Sequence, residues 1–371
     1  MALSEQAALE ALGQVKHPDL HKSIVELNLM SDLRVDESGK VSLTVILTSP
    51  ASSLQERILG EVRAALTKAG ASAVELVSEM RVLGRDITSE DPIPEVKNIV
   101  LVMSGKGGVG KSTVAANLTM AFHRAGMRTG LLDADIYGPS VPTMFGVMGR
   151  PSSADGKLIE PLERFGIKLM SIGFLLEDPK AAVVWRGPML HGALLQFVKD
   201  VRWGKLDYLV LDLPPGTGDI ALTLSQRIRG ANAVIVTTPQ EVALQDVYKS
   251  VSMCQKVGIP ILGVIENESY FICDGCNKRH ELFGKGGGQK VAEFADAPLL
   301  GQIPIDPAIR EWGDAGTPLV QAAPSSPTAK AFVELAERLA DRISVHNFSR
   351  LGPLTIDRSG GKGPLHLPIA R

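Results

Sequence analysis

Lys111 and Ser112 end a run whose residue types and spacing suit phosphate chemistry: Ser104-Gly105-Lys106-Gly107-Gly108-Val109-Gly110-Lys111-Ser112-Thr113. It fits G-x-x-x-x-G-K-S/T, in which a glycine-rich turn lets backbone N–H groups converge on phosphate oxygens. Lys111 is placed to reach the terminal phosphates of ATP, and the Ser112 hydroxyl to hold Mg²⁺. Such a loop needs a strand before it and a helix after it, because the helix N-terminus adds favourable potential for an anion. Both are legible: Ile99-Val100-Leu101-Val102-Met103 reads as a buried strand, and Val114–Ala125 has helical periodicity. Gly105, Gly107 and Gly110 also spell G-x-G-x-x-G, and Asp133 and Asp135 follow where a dinucleotide fold places its ribose ligand. That site needs neither an ammonium nor a magnesium hydroxyl, so Lys111-Ser112 decides for the phosphate loop.

Acids and an amide supply the rest of a nucleotide site. Tyr208-Leu209-Val210-Leu211-Asp212 is an apolar strand ending in a carboxylate that can complete the Mg²⁺ shell beside Ser112. Asp133 and Asp135 follow another strand, whose end opens on the nucleotide crevice of a doubly wound sheet. Asp135 is expected to orient water against the γ-phosphate, with Asp133 nearer the metal. The loop Asp212–Asp219 combines acids, prolines and glycines, as segments that rearrange between nucleotide states do, with Gly216 close to the γ-phosphate. Asn267 carries an amide able to read a donor and an acceptor on a purine ring.

Lys106 is a second lysine, early in the loop. With it the stretch resembles the deviant phosphate loop of the MinD/ParA/nitrogenase-iron-protein group of ATPases. That resemblance implies that Lys106 crosses a dimer interface to the partner's nucleotide. Cys273-Asp274-Gly275-Cys276 is the other chemical feature, since two thiolates at this spacing hold one metal centre. A thioredoxin-like redox pair would open a helix near the start of its βαβ unit, whereas this pair lies between a strand and a polar loop. The chain has three cysteines, and Cys254 falls in an apolar helical stretch, so one chain cannot close a four-cysteine site. Zinc with His280 as a third ligand is one arrangement. Two chains each giving Cys273 and Cys276 to a 4Fe-4S cluster on a two-fold axis is the other. The dimer implied by Lys106 favours the second.

Composition narrows the setting. The chain has 371 residues, enough for two domains, and 44% of them are hydrophobic, enough for sizeable cores. Its net charge of −2 gives no global electrostatic reason to expect nucleic acid or an anionic membrane as partner. No apolar run of about 20 residues is present, so no membrane span is expected. The N-terminal residues lack the basic-then-apolar order of a secretory signal. A cytoplasmic protein with reduced thiols follows as the expectation.

The elements that must position these groups divide in two. Residues 1–84 read as a small α+β domain: a helix over Gln6–Val15, strands Ser31–Val35 and Val41–Leu47 around Asp36-Glu37-Ser38-Gly39, an amphipathic helix Leu54–Ala69, and a last strand Val74–Val82. Residues 85–96, acidic and holding Pro92 and Pro94, read as a linker. Over 97–345, strands and helices alternate, with strands at Ile99–Met103, Thr129–Asp133, Lys168–Ile172, Tyr208–Asp212, Ala233–Thr237 and Ile261–Glu266. The expected fold is therefore α/β, a doubly wound, mostly parallel P-loop NTPase sheet preceded by the small α+β domain. Thr328–Ile343 reads as a closing helix, and 346–371, rich in Gly and Pro, as a flexible tail.

With both motifs placed, residues 97–345 resemble the Mrp/ApbC-type iron–sulfur cluster carriers. The matching stretches are Gly105–Thr113, Asp133–Pro142, Arg186-Gly187-Pro188, Asp212–Asp219, Glu266-Asn267, Tyr270–Cys276 with His280–Gly284, and Gly301-Gln302-Ile303-Pro304. The resemblance implies ATP hydrolysis and transient cluster binding in a homodimer that receives its cargo from an upstream scaffold and passes it to apo iron–sulfur proteins. The rival is a MinD/ParA-type positioning or partitioning ATPase with a structural zinc at Cys273/Cys276. Residues 1–84 resemble the PaaD-like domain found ahead of such ATPases, with two departures. Ser52-Ser53 stands where that domain usually has Cys-Pro, and His17 where Asp is typical. A serine hydroxyl is a poor soft-metal ligand, so this domain is expected to serve docking or structure.

Overall fold

The computed structural model describes residues 3–135, 138–175, 187–216, 223 and 227–352, with backbone alone at 187–191. Two compact units divide the chain: Met1–Leu83 with the chain from Ala340 onward, and Gly84–Leu339.

In the first unit, Ser4 caps helix α1 (Glu5–Leu12), its hydroxyl accepting from the Ala7 N–H at 3.2 Å. Strands β1 (Met30–Val35) and β2 (Lys40–Leu47) are antiparallel, joined by a turn in which the Asp36 carboxylate accepts from the Ser38 and Lys40 amides, both at 2.9 Å. Helix α2 (Ser52–Lys68) carries the chain across to β3 (Ala73–Met80), which pairs parallel with β2. Ile58, Val62 and Leu66, spaced by four, put the buried face of α2 on the sheet. Phe348, near the end of the chain, joins this core. The expected tail from residue 346 is thereby corrected at its start: the closing helix runs over Pro327–Leu351. Its stop is Gly352, at φ +77°, followed in sequence by Pro353.

The second unit is built on an eight-stranded sheet. Its strands are β4 (Ile99–Met103), β5 (Thr129–Asp133), β6 (Leu162–Arg164), β7 (Ile167–Ser171), β8 (Tyr208–Asp212), β9 (Ala231–Thr237), β10 (Ile261–Glu266) and, last in sequence, β13 (Leu299–Gln302) after a short ribbon, β11 (Phe271–Ile272) with β12 (Arg279–His280). The spatial order is β13-β10-β9-β4-β8-β5-β7-β6, parallel throughout except for β6 against β7. Every residue of β4, β5, β8 and β9 is buried, which explains their mostly apolar composition: a parallel sheet is covered on both faces. A 3-10 turn at Ile172–Phe174 and helices α3 (Lys111–Arg124), α4 (Val141–Phe145), α5 (Gly187–Lys199), α6 (Glu241–Val257), α7 (Gly287–Ala295), α8 (Pro307–Asp314), α9 (Leu319–Ala322) and α10 (Pro327–Leu351, its residues from Ala340 belonging to the first unit) complete the described elements. Because the strands are parallel, the segments leaving β4, β5, β8, β9, β10 and β13 all emerge at one edge of the sheet, its carboxyl edge.

Residues 85–96, expected as a linker, are folded into this unit. Arg85 is buried and paired with Asp91, and it donates to the carbonyls of Arg229 and Ile93, both at 3.0 Å. Its charge and its two terminal nitrogens are met in this way, while its Nε is buried without a hydrogen-bond partner.

Candidate functional site

The phosphate loop leaves β4 at the centre of the sheet and enters α3 at Lys111. Ser104 Oγ donates to the Lys106 carbonyl at 3.0 Å, which folds the loop back on its own start. Gly105 lies against the backbone of α6: a Cβ there would sit 2.2 Å from the Val247 nitrogen. Gly110 has φ +77° and ψ +22° and precedes α3 with no side-chain cap. The first N–H groups of α3 are therefore left for an anion. Lys106 is exposed, and no ion pair involves it among the described residues.

Lys111 is 6% exposed and pairs with Asp212, which is fully buried; Asp135 Oδ2 lies 3.8 Å from its Nζ. The Ser112 side chain lies beside Asp212. Burial holds the Asp212 carboxyl above the ordinary aspartate range, although Lys111 and Ser112 pull it down. Its second oxygen, Oδ2, is buried without a hydrogen-bond partner. A buried carboxylate oxygen with no donor, beside a serine hydroxyl, fits a hard divalent cation such as Mg²⁺.

Asp133, expected nearer the metal, makes its described hydrogen bonds within the loop that follows β5 and to β7. Its Oδ1 accepts from the Asp135 N–H and its Oδ2 from the Val141 N–H and the Ser171 hydroxyl, all at 3.1 Å. It is a loop-bracing acid at the entry to α4. Burial, with the neighbouring Asp212 charge, pushes its carboxyl up to about 7.

The next loop, from Asp212, is tied to the phosphate loop by the Gly216 N–H donating to the Ser104 carbonyl at 2.9 Å. Thr217, Gly218 and Asp219 of that loop, and Arg186, lie outside the described residues.

Asn267 is buried at the end of β10, and its Nδ2 donates to the Val109 carbonyl at 2.9 Å. Its amide donor thus braces the phosphate loop, which the purine-reading expectation did not foresee. Beside it a cavity of about 430 Å³ is lined by Gly110, Thr113, Ser140, Met144, Asn267 and Pro304, among others. Four separated segments meet there; Ser140 and Pro304 lie in stretches that match the family, whereas no motif singled out Met144. Glu266, just before Asn267, ties neighbouring segments together: its Oε1 accepts from Ser269 Oγ and from Gln302 Nε2 at 2.7 Å, and its Oε2 from the Gly288 N–H in the first turn of α7.

Cys273 and Cys276 sit on the hairpin between β11 and β12, where Asn277, at φ +55°, turns the chain and donates to the Cys273 carbonyl at 2.8 Å. The N–H groups of Gly275 and Cys276 lower the Cys273 thiol from its usual range, as suits a thiolate ligand. Arg279 stacks over Tyr270 at 3.9 Å and stiffens the ribbon. His280 lies on β12 opposite Phe271. Among the described residues no group of three or more His, Cys, Asp or Glu is arranged to hold a metal ion. Cys273, Cys276 and His280 are thus not gathered into a zinc ligand set among these residues. Cys254 is buried, its thiol pushed up to about 11 by desolvation. No helix among the described residues is long and apolar enough to cross a membrane.

Comparison with known proteins agrees with this geometry. Residues 95–340 match the family model of the NUBPL iron-transfer P-loop NTPase, and residues 5–78 that of an iron-sulfur cluster assembly protein. The chain is 45% identical over 350 residues to an iron-sulfur cluster carrier protein of Synechocystis, covering 92% of this chain and 99% of that one. It is 54% identical over 252 residues to another of that name from Aquifex aeolicus, covering 67% and 68%. A nucleotide-binding protein from Archaeoglobus fulgidus, solved in complex with ADP, superposes with a TM-score of 0.54 at 40% identity, over 62% of this chain and 92% of that one.

Proposed function

This chain belongs to the family of iron-transfer P-loop NTPases, and we propose that it is a cytoplasmic homodimer that hydrolyses ATP and carries a 4Fe-4S cluster between an upstream scaffold and apo iron–sulfur proteins. The observation that carries this reading is the pairing, on one sheet edge, of a phosphate loop with a hairpin offering two thiols that no third ligand joins among the described residues. Two thiolates are half of what a 4Fe-4S cluster commonly takes from protein. A second copy supplies the other half.

Each residue then has a task. The N–H groups from Gly105 to Thr113 wrap the phosphates of ATP, and Lys111 leaves Asp212 to neutralise them. Ser112 and Asp212 Oδ2 would hold Mg²⁺, which supplies charge neutralisation at the β- and γ-phosphates. Asp135, near Lys111, orients the attacking water. Lys106, exposed on the loop, reaches the partner's nucleotide. Adenine occupies the cavity beside Gly110, Asn267 and Pro304. The cargo is held between Cys273 and Cys276 of both chains, so moving the subunits apart removes ligands in pairs. That suits a carrier, which must release what it binds. The first unit, with serines at 52 and 53, docks scaffold or recipient and does not ligate the cluster itself.

The test uses single substitutions. Cys273→Ala and Cys276→Ala are each expected to lose cluster delivery to an apo acceptor while keeping ATP binding, and Cys254→Ala to keep both. Full delivery by either exposed-cysteine variant would refute the assignment. A positioning or partitioning ATPase would give the hairpin no cargo and the same cysteine variants no phenotype in transfer.

A further inference from the structure

Between the phosphate loop and the thiols runs a short, continuously bonded segment. Asn267 Nδ2 holds the Val109 carbonyl at 2.9 Å. Next in the chain, Glu268 has φ +53°, a left-handed conformation uncommon outside glycine and asparagine. Its carboxyl is raised by burial and lines the same cavity. The Ser269 N–H then donates to the Ile303 carbonyl at 2.9 Å, and the Ile305 N–H to the Tyr270 carbonyl at 2.7 Å. Phe271 bridges Ile305 in parallel, and Ile272 pairs with Arg279 inside the hairpin. Cys273 follows directly. The segment thus leaves no slack between a phosphate-loop carbonyl and the first thiol: each step is a hydrogen bond or a peptide bond.

We propose that Asn267 is the positioning residue that transmits occupancy of the phosphate loop to the Cys273/Cys276 hairpin. When phosphate fixes the N–H groups around Val109, the Val109 carbonyl is fixed with them, and Asn267 is held in one position. The 269–272 stretch, clamped on Ile303 and Ile305, then holds the hairpin in the form where the Gly275 and Cys276 N–H groups point at Cys273. With the loop empty, the Val109 carbonyl moves more freely and the hairpin loosens. Nucleotide exchange thereby changes how firmly the ligands of the cargo are presented. The proposal goes beyond the carrier reading but takes its purpose from it.

Thiol reactivity tests it on the full-length, cluster-free protein. ADP with Mg²⁺ fills the phosphate loop but lacks the γ-phosphate that faces Lys106, so it separates local coupling from dimer formation. Alkylation of Cys273 and Cys276 by iodoacetamide is followed by intact mass; Cys254 is fully buried and stays silent. Saturating ADP with Mg²⁺ is expected to slow alkylation about fivefold in wild type, the lower end of ordinary coupling between sites. In Asn267→Ala, saturated with ADP as verified by calorimetry, the ratio should fall to near one. Asn267→Asp keeps the side chain's size but cannot donate to Val109, and it should behave alike, which covers the case where the alanine variant does not fold. An unchanged rate in wild type, or the full effect in either variant, overturns the proposal. Nucleotide-linked thiol rates in a protein that retains no iron would sink the carrier reading alone.

Discussion

At Lys111 the ammonium is buried against Asp212, with Asp135 nearby, so the loop carries its own counter-charges before nucleotide arrives. Lys111→Ala removes the cation that the triphosphate would recruit. Hydrolysis in a steady-state phosphate-release assay is expected to drop by at least about a hundredfold, the loss typical of deleting one preorganised charge-stabilising group. Wild-type turnover would refute its role. Asp341 allows a prediction about pH. It lies in the first unit, with Oδ1 unpartnered, and burial together with Asp19 pushes its carboxyl up to about 6 from 3.8. Folded protein therefore binds the extra proton between those values, and stability falls as pH rises from about 4 through about 6. Asp341→Asn should remove that slope and raise stability at pH 7 by about 1 kcal/mol, the shift being discounted because the group is partly solvated. Denaturant midpoints measured across that range decide it; an unchanged slope would contradict the assignment.

The elements divide sharply in how far the sequence revealed them. Strands β4, β5, β8 and β10 were legible because burial on both faces writes itself as an apolar run ending at a chemical residue. The phosphate loop was legible because its spacing is its mechanism. The Asn267 brace was not, since its acceptor is a backbone carbonyl 158 positions away and carries no residue signature. The amide partners of Asp133 were not legible, because an acid at a strand end is equally suited to metal and to the amides of a turn. The nature of residues 85–96 was hidden by their prolines and acids, while one buried arginine set their place. The far end of α10 was lost by averaging 346–371 as one composition, although Phe348 marks an apolar anchor before Gly352. Phe348→Ala should cost about 3 kcal/mol, toward the low end for a buried aromatic truncated to a methyl. Urea unfolding followed by circular dichroism measures it, and a loss under about 1 kcal/mol would mean that Phe348 is not part of this core.

For the whole molecule, the carboxyl edge of the sheet collects the phosphate loop, the Asp212 loop and the cysteine hairpin. If that edge meets its copy, Lys106 acts in trans. Lys106→Ala and Lys111→Ala, each inactive alone, should then regain about a quarter of wild-type turnover when mixed, because half the dimers are hybrid and each holds one complete site. Full activity of Lys106→Ala, or no recovery on mixing, would show that the lysine does not cross. The bridged cargo itself is read most directly by anaerobic reconstitution with iron and sulfide, followed by metal analysis and mass of the intact assembly. The carrier account predicts about four irons and four sulfides per two chains, a dimer that forms with the cluster, and loss of both in Cys273→Ala and Cys276→Ala. One zinc held tightly per single chain, with no iron retained, would contradict it.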